Sequence, residues 1–248
     1  SCTSTLTDVT FSGNSASYGG GMYNDGTSTL TDVAFSGNSA TYNGGGMYNA
    51  GTSTLTDVTF SNNSASYDGG GMYLASYSDP TLTNVTFSGN SAVGNGGGMY
   101  LTSYGFAALS NLTFSGNSAN FGGGVYVAGD SYLILKNTLL AGNLAPSGPD
   151  CSGTLSSYGY NLIQDLTGCT LTGDETGNIY GQDPLLGPLQ DNGGATLTHA
   201  LLPGSPAIDA ADFTDLYGNP VTEDQRGVAR PQGPANDCSL PGVWDPYN

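Results

Sequence analysis

The sequence predicts an all-β fold: a right-handed parallel β-helix (β-solenoid) of 24–27-residue turns with an irregular C-terminal cap. Three observations predict the stacked parallel turns, and the crossover rule predicts their right hand. A unit that reads TLTDVTFSGNSA and then GGGMY recurs five times, followed by a degenerate sixth copy. Apolar residues inside the unit follow the two-residue period of strands rather than a helical spacing. No single unit carries enough apolar residues to form a core, so consecutive units must stack.

Each unit contributes one residue to each of several columns. In the first unit we expect Leu6, Val9 and Phe11 to point inward and Asp8 to lie at a bend. Gly19–Gly21 fit a corner where no Cβ has room or where φ is positive. Stacked about 4.8 Å apart, the recurring asparagines predict a structural ladder of amide hydrogen bonds. The members of this ladder are Asn14, Asn38, Asn63, Asn90, Asn117 and Asn143.

Two parts of the chain resemble known families. The FSGN and GGGMY motifs, over residues 4 to about 128, resemble the FxxN and GGxx repeats of polymorphic outer-membrane proteins, which are right-handed parallel β-helix passengers on bacterial surfaces. DNGGATLTHALLPGSPAIDAAD and DQRGVARPQG, over roughly 180–235, resemble the tail of choice-of-anchor Q proteins, which are exported bacterial β-helix proteins. The ending NDCSLPGVWDPYN departs from that pattern. The resemblances imply a bacterial, exported solenoid whose right hand agrees with the crossover rule, and they imply no catalytic residues.

The chain divides into three regions. Residues 1–147 are predicted to be regular β-helix repeats, residues 148–180 degenerate turns, and residues 181–248, rich in Pro and Gly, a capping region over the last turn. A cap is expected because an open sheet edge pairs with other chains. The first repeat begins almost at residue 1 without such a cap. We therefore expect either further protein before it or a second subunit stacked end to end, as in a filament.

The four cysteines form no CxxC pair, which disfavours structural zinc. Cys151 and Cys169 bracket a loop-rich segment and are predicted to form a disulfide, which places the protein in an oxidising compartment. Cys2 and Cys238 lie near opposite ends of the chain and are candidates for an intersubunit contact; the alternative is two thiols that are free or differently paired. We expect a secreted, extracellular or cell-surface location.

The net charge of the chain limits the classes of molecule that can bind it. Three Lys and Arg against 20 Asp and Glu give a net charge of −17, so nucleic acid and anionic lipid should repel the chain. The sequence contains no apolar stretch of 18 residues, so it predicts no membrane span. Asp8, Asp32 and Asp57 share a column and form a calcium candidate, but bend residues that bond their own backbone explain the column as well. Otherwise no metal or cofactor is expected.

Few residues could carry catalysis. No paired-acid motif suited to glycoside hydrolysis stands out along the repeats. Lys136 is the only basic residue of the solenoid, while Arg226 and Arg230 lie in the C-terminal region. We expect His199 to pack or to form a hydrogen bond within that region. The sequence therefore predicts a non-enzymatic protein, with a polysaccharide lyase or hydrolase as the alternative.

The outward columns are the candidate contact surfaces. Tyr23, Tyr48, Tyr73, Tyr100 and Tyr126 form one column that either contacts a sugar or partner or stacks on itself. The turns after GGGMY lengthen in the third and fourth units, so Tyr77, Tyr104 and Phe106 are candidate contact residues too.

These columns lead to three functional hypotheses. The first is a structural or adhesive cell-surface protein, including the subunit of an extracellular filament assembled by end-to-end stacking. The second is a β-helix that binds or degrades carbohydrate, with surface polysaccharide as the partner. Outward TxT pairs such as Thr29 and Thr31 add ice binding as a minor alternative.

Overall fold

A computed structural model describes residues 2–230 as a parallel β-solenoid. Each regular turn, here called a rung, contains three strands. In the first rung these are β1 (Thr3–Ser12), β2 (Ser15–Ala16) and β3 (Met22–Asn24). The strands that follow in chain order are β4 (Thr27–Ser36), β5 (Ser39–Ala40), β6 (Met47–Asn49), β7 (Thr52–Ser61), β8 (Ser64–Ala65), β9 (Met72–Leu74), β10 (Thr81–Ser88), β11 (Ser91–Ala92), β12 (Met99–Leu101), β13 (Phe106–Ser115), β14 (Val125–Val127), β15 (Tyr132–Lys136), β16 (Leu139–Ala141), β17 (Cys151–Tyr158), β18 (Leu162–Ile163), β19 (Cys169–Asp174) and β20 (Ile179–Tyr180).

The rungs stack in register. All the strand pairs are parallel, and the repeat leucines face one another from Leu6 to Leu135 without a slip. The long strands form one continuous face, β3, β6, β9, β12 and β14 form a second, and β2, β5, β8 and β11 form a short third. Register is firm because a one-residue slip would turn every inward side chain outward. The predicted solenoid is confirmed, and the described residues contain no helix that could cross a membrane.

Like residues fill the core column by column. The buried core joins the Leu, Val, Phe and Met columns of successive rungs. The phenylalanine rings lie nearly parallel, with centroid separations of 4.9 Å for Phe11–Phe35 and 4.6–4.7 Å for the pairs that continue through Phe60 and Phe87 to Phe114. A rung therefore gains its apolar contacts mainly from its two neighbours.

Two backbone features shape each rung. The bend residue Asp8 has a φ of 56°, and the residues below it in the same column also have positive φ. Asp and Asn tolerate this conformation better than other non-glycine residues. At the glycine corner, a Cβ on Gly20 would lie 2.4 Å from the carbonyl oxygens of Gly45 and Ser39. Both predicted features, the bend and the corner, are confirmed.

The asparagine ladder is continuous and directional. Asn63 Nδ2 donates to Asn90 Oδ1 at 2.9 Å, and the same oxygen accepts the backbone N–H of Asn63 at 3.0 Å. The second Nδ2 hydrogen of Asn63 bonds the carbonyl of Phe35 at 2.9 Å. This pattern runs from Asn14 through Asn38, Asn63, Asn90, Asn117 and Asn143. The ladder ends on Asp150, which is 1% exposed and accepts from Asn143 at 2.8 Å.

Beyond the sixth rung the turns shorten. Strand β17 pairs at its start with β14 of the second face and further along with β15 of the long-strand face. Strand β19 then pairs with β17 at a step of only 16 residues, from Gly153 to Cys169. Cys151 and Cys169 form the predicted disulfide, with Cα atoms 5.4 Å apart. Cys2 is an exposed free thiol. Cys238 lies outside the described residues, so the predicted contact between Cys2 and Cys238 stays a prediction.

The C-terminal segment packs along the side of the solenoid. Residues 181–230, here called the strap, run from the last turns back to the third rung. The predicted capping role of residues 181–248 stays a prediction. The carbonyl of Leu197 accepts from Thr59 of the third rung at 2.7 Å, and Lys136 of the sixth rung pairs with Asp212 at 2.6 Å. Hydroxyl and amide groups on the outer side of these rungs find hydrogen-bond partners in the strap.

Candidate binding surfaces

The predicted tyrosine column is a self-stacked ladder. Its five rings lie 4.8–5.2 Å apart with interplanar angles of 13° or less. Tyr23 is 54% exposed, whereas Tyr48, Tyr73 and Tyr100 are half-buried. Burial, reinforced by the neighbouring tyrosines and Asp68, raises the pKa of Tyr73 above its usual value. The ladder therefore presents hydroxyls and ring edges, since each inner ring has both faces covered by its neighbours.

A second tyrosine column stands beside the first. Tyr18 and Tyr42 stack at 5.0 Å, Tyr42 and Tyr67 at 5.7 Å, and Tyr18 meets Tyr48 of the first column edge-on at 5.4 Å. The three rings are 42–56% exposed. This column was not predicted, although its signal recurs in the sequence as SASY, SATY and SASY just before the glycine corner.

The short third face forms a groove that was also missed. Strands β2, β5, β8 and β11 each read Ser–Ala, and the alanines of the second to fourth rungs point inward while the serines line the surface. The groove has a volume of about 340 Å³. Its lining, here called the serine groove, is Ser15, Ser39, Ala40, Thr41, Ser64, Ala65, Ser66, Ser91, Ala92 and Val93. Thr41 and Ser66 directly precede Tyr42 and Tyr67, so the second tyrosine column borders this groove.

The turn residues form a separate aromatic pair. Tyr77 and Tyr104 are 81% and 58% exposed, and their rings lie parallel at 6.0 Å. Phe106 differs from them because it begins strand β13 and is half-buried beside Tyr132. The lengthened turns therefore present two predicted contact residues at their tips and hold the third within a strand.

The aspartate column (Asp8, Asp32 and Asp57) lies at the bend, and its third member, Asp57, contacts the strap. Asp57 Oδ1 accepts from Asn84 Nδ2 at 3.0 Å, and Thr196 of the strap bonds the Asp57 carbonyl. Burial, with Asp32, Asp224 and Glu223 nearby, raises the pKa of Asp57 to about 6. Among residues 2–230, no three acidic, His or Cys side chains form a group that could hold a metal. The calcium candidate Asp8, Asp32 and Asp57 stays a prediction.

Three of the basic side chains in the described chain hold the strap or its turns. The nitrogens of His199 bond the Gly187 carbonyl at 2.7 Å and Ser88 Oγ at 2.9 Å, which gives this residue the structural role expected of it. Burial lowers the pKa of His199, so the ring is neutral at pH 7. Lys136 pairs with Asp212, and Arg226 pairs with Asp224 inside the DQRG turn. None of these three residues lines the serine groove.

The outward threonines lie on the long-strand face. Thr5, Thr29 and Thr54 are exposed, whereas Thr31, Thr56 and Thr83 are partly covered. In the strand segment after the bend, Thr59 and Thr86 are 1% exposed because the strap covers them. The first threonines of the TxT pairs in the first three rungs are therefore exposed to solvent, whereas the second threonines of the second to fourth rungs are only partly exposed. The ice-binding alternative stays a prediction.

Taken together, the parallel rungs, the internal ladder and the fixed outward columns define a right-handed β-helix protein. The family model "Right handed beta helix region" matches residues 1–143, more than half of the chain, and the chain belongs to that family. No curated protein and no solved structure matches the chain. The family includes both enzymes and proteins without enzymatic activity, so membership leaves the function open.

Proposed function

We propose that this chain is a non-enzymatic, extracellular β-solenoid with a structural or adhesive role, and that it contacts a polymer along the serine groove and the bordering tyrosines. The observation that carries the proposal is the groove itself, which runs across four stacked rungs and is lined by hydroxyl groups. The groove has a volume of about 340 Å³ and is open to solvent. Repetition of the same groups along the axis suits a repeating partner.

The chemistry favours a neutral polysaccharide as this partner. Serine hydroxyls both donate and accept hydrogen bonds, as sugar hydroxyls do. Tyr42 and Tyr67 add a polar, aromatic border that stays partly exposed. A net charge of −17 opposes the approach of polyanions. The ring faces inside the ladder are already covered, so we expect hydrogen bonding and edge contacts rather than stacking of sugars on open rings.

Two further observations support the non-enzymatic, extracellular parts of the proposal. Lys136, His199 and Arg226 are engaged in structural contacts, and none of them lines the groove. The Cys151–Cys169 disulfide fits an oxidising compartment. End-to-end stacking into a filament remains a separate prediction that the groove does not require.

A binding assay with matched variants tests the proposal. The protein is incubated with insoluble neutral polysaccharides and, separately, with anionic ones, and the bound fraction is measured. We expect binding to at least one neutral polymer. The double variant Ser64→Leu, Ser91→Leu fills the groove and should lower the affinity by about tenfold or more, the effect of losing one or two hydrogen bonds. Thr54→Leu, on the exposed long-strand face, is the control and should bind normally.

Two results would count against the proposal. Binding that survives the groove-filling substitutions would move the contact elsewhere, and the lack of binding to every neutral polymer would remove the adhesive role assigned to the groove. Reducing-sugar and uronate release are measured in the same samples. Release of either product by the wild type would establish the enzymatic alternative instead.

A further inference from the structure

Tyr77 and Tyr104 form an exposed pair that the rest of the fold does not use. Their rings lie parallel, with centroids 6.0 Å apart and an interplanar angle of 11°. The backbone N–H of Tyr77 donates to the Tyr104 carbonyl at 3.1 Å, and both residues have a φ of 64°. The backbone therefore holds the two residues side by side on adjacent rungs. The rings project from the packed solenoid, with exposures of 81% and 58%.

We propose that this pair is a site of oxidative cross-linking, at which a peroxidase acting with hydrogen peroxide joins the two phenol rings into dityrosine. The inference stands apart from the polysaccharide-binding proposal because neither residue lines the serine groove. It assigns a covalent modification to the two residues that the lengthened turns expose.

The chemistry balances with the peroxide as oxidant. Each phenol loses one electron and one proton to give a phenoxyl radical, whose unpaired electron is shared with the ring carbons beside the hydroxyl. The two radicals form a carbon–carbon bond between these carbons. The hydrogen on each bonded carbon then moves to the phenolic oxygen, which restores both aromatic rings. The peroxide accepts the two electrons and two protons and leaves as two water molecules.

The surroundings of this pair favour coupling more than those of the tyrosine ladder. Tyr73 is held between Tyr48 and Tyr100 at 4.8 and 5.1 Å, so its ring cannot turn to bring a carbon edge toward a neighbour. Tyr77 and Tyr104 have open space around them. The next residue in their column is Asp130, which has the same positive φ and whose carbonyl accepts from the Tyr104 N–H. Coupling along this column is therefore limited to one pair.

The expected product would fasten the third rung to the fourth. Tyr77 and Tyr104 are 27 residues apart, so the new bond closes a loop across one full turn. Closing a loop lowers the entropy of the unfolded chain, as a disulfide does. The reaction should be mainly intramolecular. Groups tethered this closely have an effective concentration in the millimolar range, about a hundredfold above a protein concentration near 10 μM.

The test treats the purified full chain with a peroxidase and limiting hydrogen peroxide. Dityrosine is followed by its fluorescence, monomers are separated from cross-linked dimers by denaturing gel, and the linked peptides are identified by mass spectrometry. We expect monomeric product that has lost two hydrogen atoms, with Tyr77 linked to Tyr104. Tyr104→Phe should reduce intramolecular dityrosine about tenfold, because phenylalanine forms no phenoxyl radical. Tyr217→Phe, which removes an exposed tyrosine of the strap, is the matched control and should leave the yield unchanged.

Circular dichroism of each variant checks that the β-solenoid is intact before oxidation. Dityrosine that maps to other residues, or that forms equally well in Tyr104→Phe, would overturn the assignment. So would oxidation that yields only cross-linked dimers or no dityrosine at all. Reciprocal loss in Tyr77→Phe is the second expected result, because each ring of the pair is required.

Discussion

Removal of one side-chain amide from the middle of the asparagine ladder should lower the free energy of unfolding far more than removal of one from the end of the ladder. Asn90 Oδ1 accepts two hydrogen bonds from Asn63, one from its backbone N–H and one from its side chain. Asn90 Nδ2 donates to the Phe60 carbonyl and to Asn117 Oδ1, both at 2.9 Å. Asn90→Ala therefore removes four hydrogen bonds from a site that is 0% exposed.

The magnitude follows from the donors left without partners. Asn63 keeps its bond to the Phe35 carbonyl, and Asn117 Oδ1 still accepts from the backbone of residue 90. The backbone N–H and one amide hydrogen of Asn63 lose their only acceptor. Each buried unsatisfied donor costs about 1–3 kcal/mol, so we expect a loss of roughly 4 kcal/mol in the free energy of unfolding. That is a large part of the stability of an ordinary domain.

Asn14→Ala is the matched control for this prediction. Asn14 is exposed, and its side chain donates a single bond to Asn38 Oδ1. We expect a loss below about 1 kcal/mol. The assay is equilibrium urea unfolding followed by circular dichroism. The midpoint for Asn90→Ala should fall by about 1–1.5 M. Equal losses in the two variants would refute the argument that the interior ladder holds the rungs together.

Three further predictions concern the strap and the last turns. Burial raises the pKa of Asp57 to about 6, so the neutral acid favours folding, and this stabilisation is lost as pH rises from about 4 to about 6. In urea unfolding, Asp57→Asn should then be about 1 kcal/mol more stable than the wild type at pH 7, after reduction for solvent screening, and equally stable near pH 4. An equal pH dependence in both proteins would contradict this. Gln225→Ala removes the hydrogen bonds to Thr86 and to the other partners of Gln225. It should lower the free energy of unfolding by about 2–3 kcal/mol and speed amide hydrogen exchange in the strap. Unchanged exchange would show that the strap does not depend on Gln225. Cys151→Ser with Cys169→Ser should lower the melting temperature, because the disulfide closes an 18-residue loop worth about 3 kcal/mol; an unchanged melting temperature would contradict it.

The sequence was sufficient for the rungs because each column repeats its residue. Leu6, Phe11 and Asn14 have the same neighbours above and below in every copy, so one correct alignment gives register, core and ladder together. The strap could not be placed in this way. Gln225 and Thr59 are 166 residues apart and belong to no shared period, so only the folded chain shows that they meet.

The serine groove escaped prediction for a different reason. A groove is a place where side chains are small, and the pattern of Ser15–Ala16 and its copies indicates a strand without indicating a concave surface. The second tyrosine column was readable, because Tyr18, Tyr42 and Tyr67 recur at the same place in three units. Its position beside the first ladder depends on the shape of the corner, which the repeat does not specify.

The change from Asp to Asn along the bend column provides hydrogen-bond donors for part of the strap. The first three rungs have Asp at the bend, and the later rungs have Asn. Asn84 donates to the Glu223 carbonyl, and Asn137 exchanges hydrogen bonds with the backbone of Asp212. A carboxylate could not donate these bonds, and it would also repel the acidic residues of the strap. Asp57 is the last aspartate of the column and lies at this boundary, where burial, with Asp32, Asp224 and Glu223 nearby, raises the pKa of its carboxyl. The repeats are therefore unequal at the bend, and the asparagines of the later rungs supply donors that bond the strap.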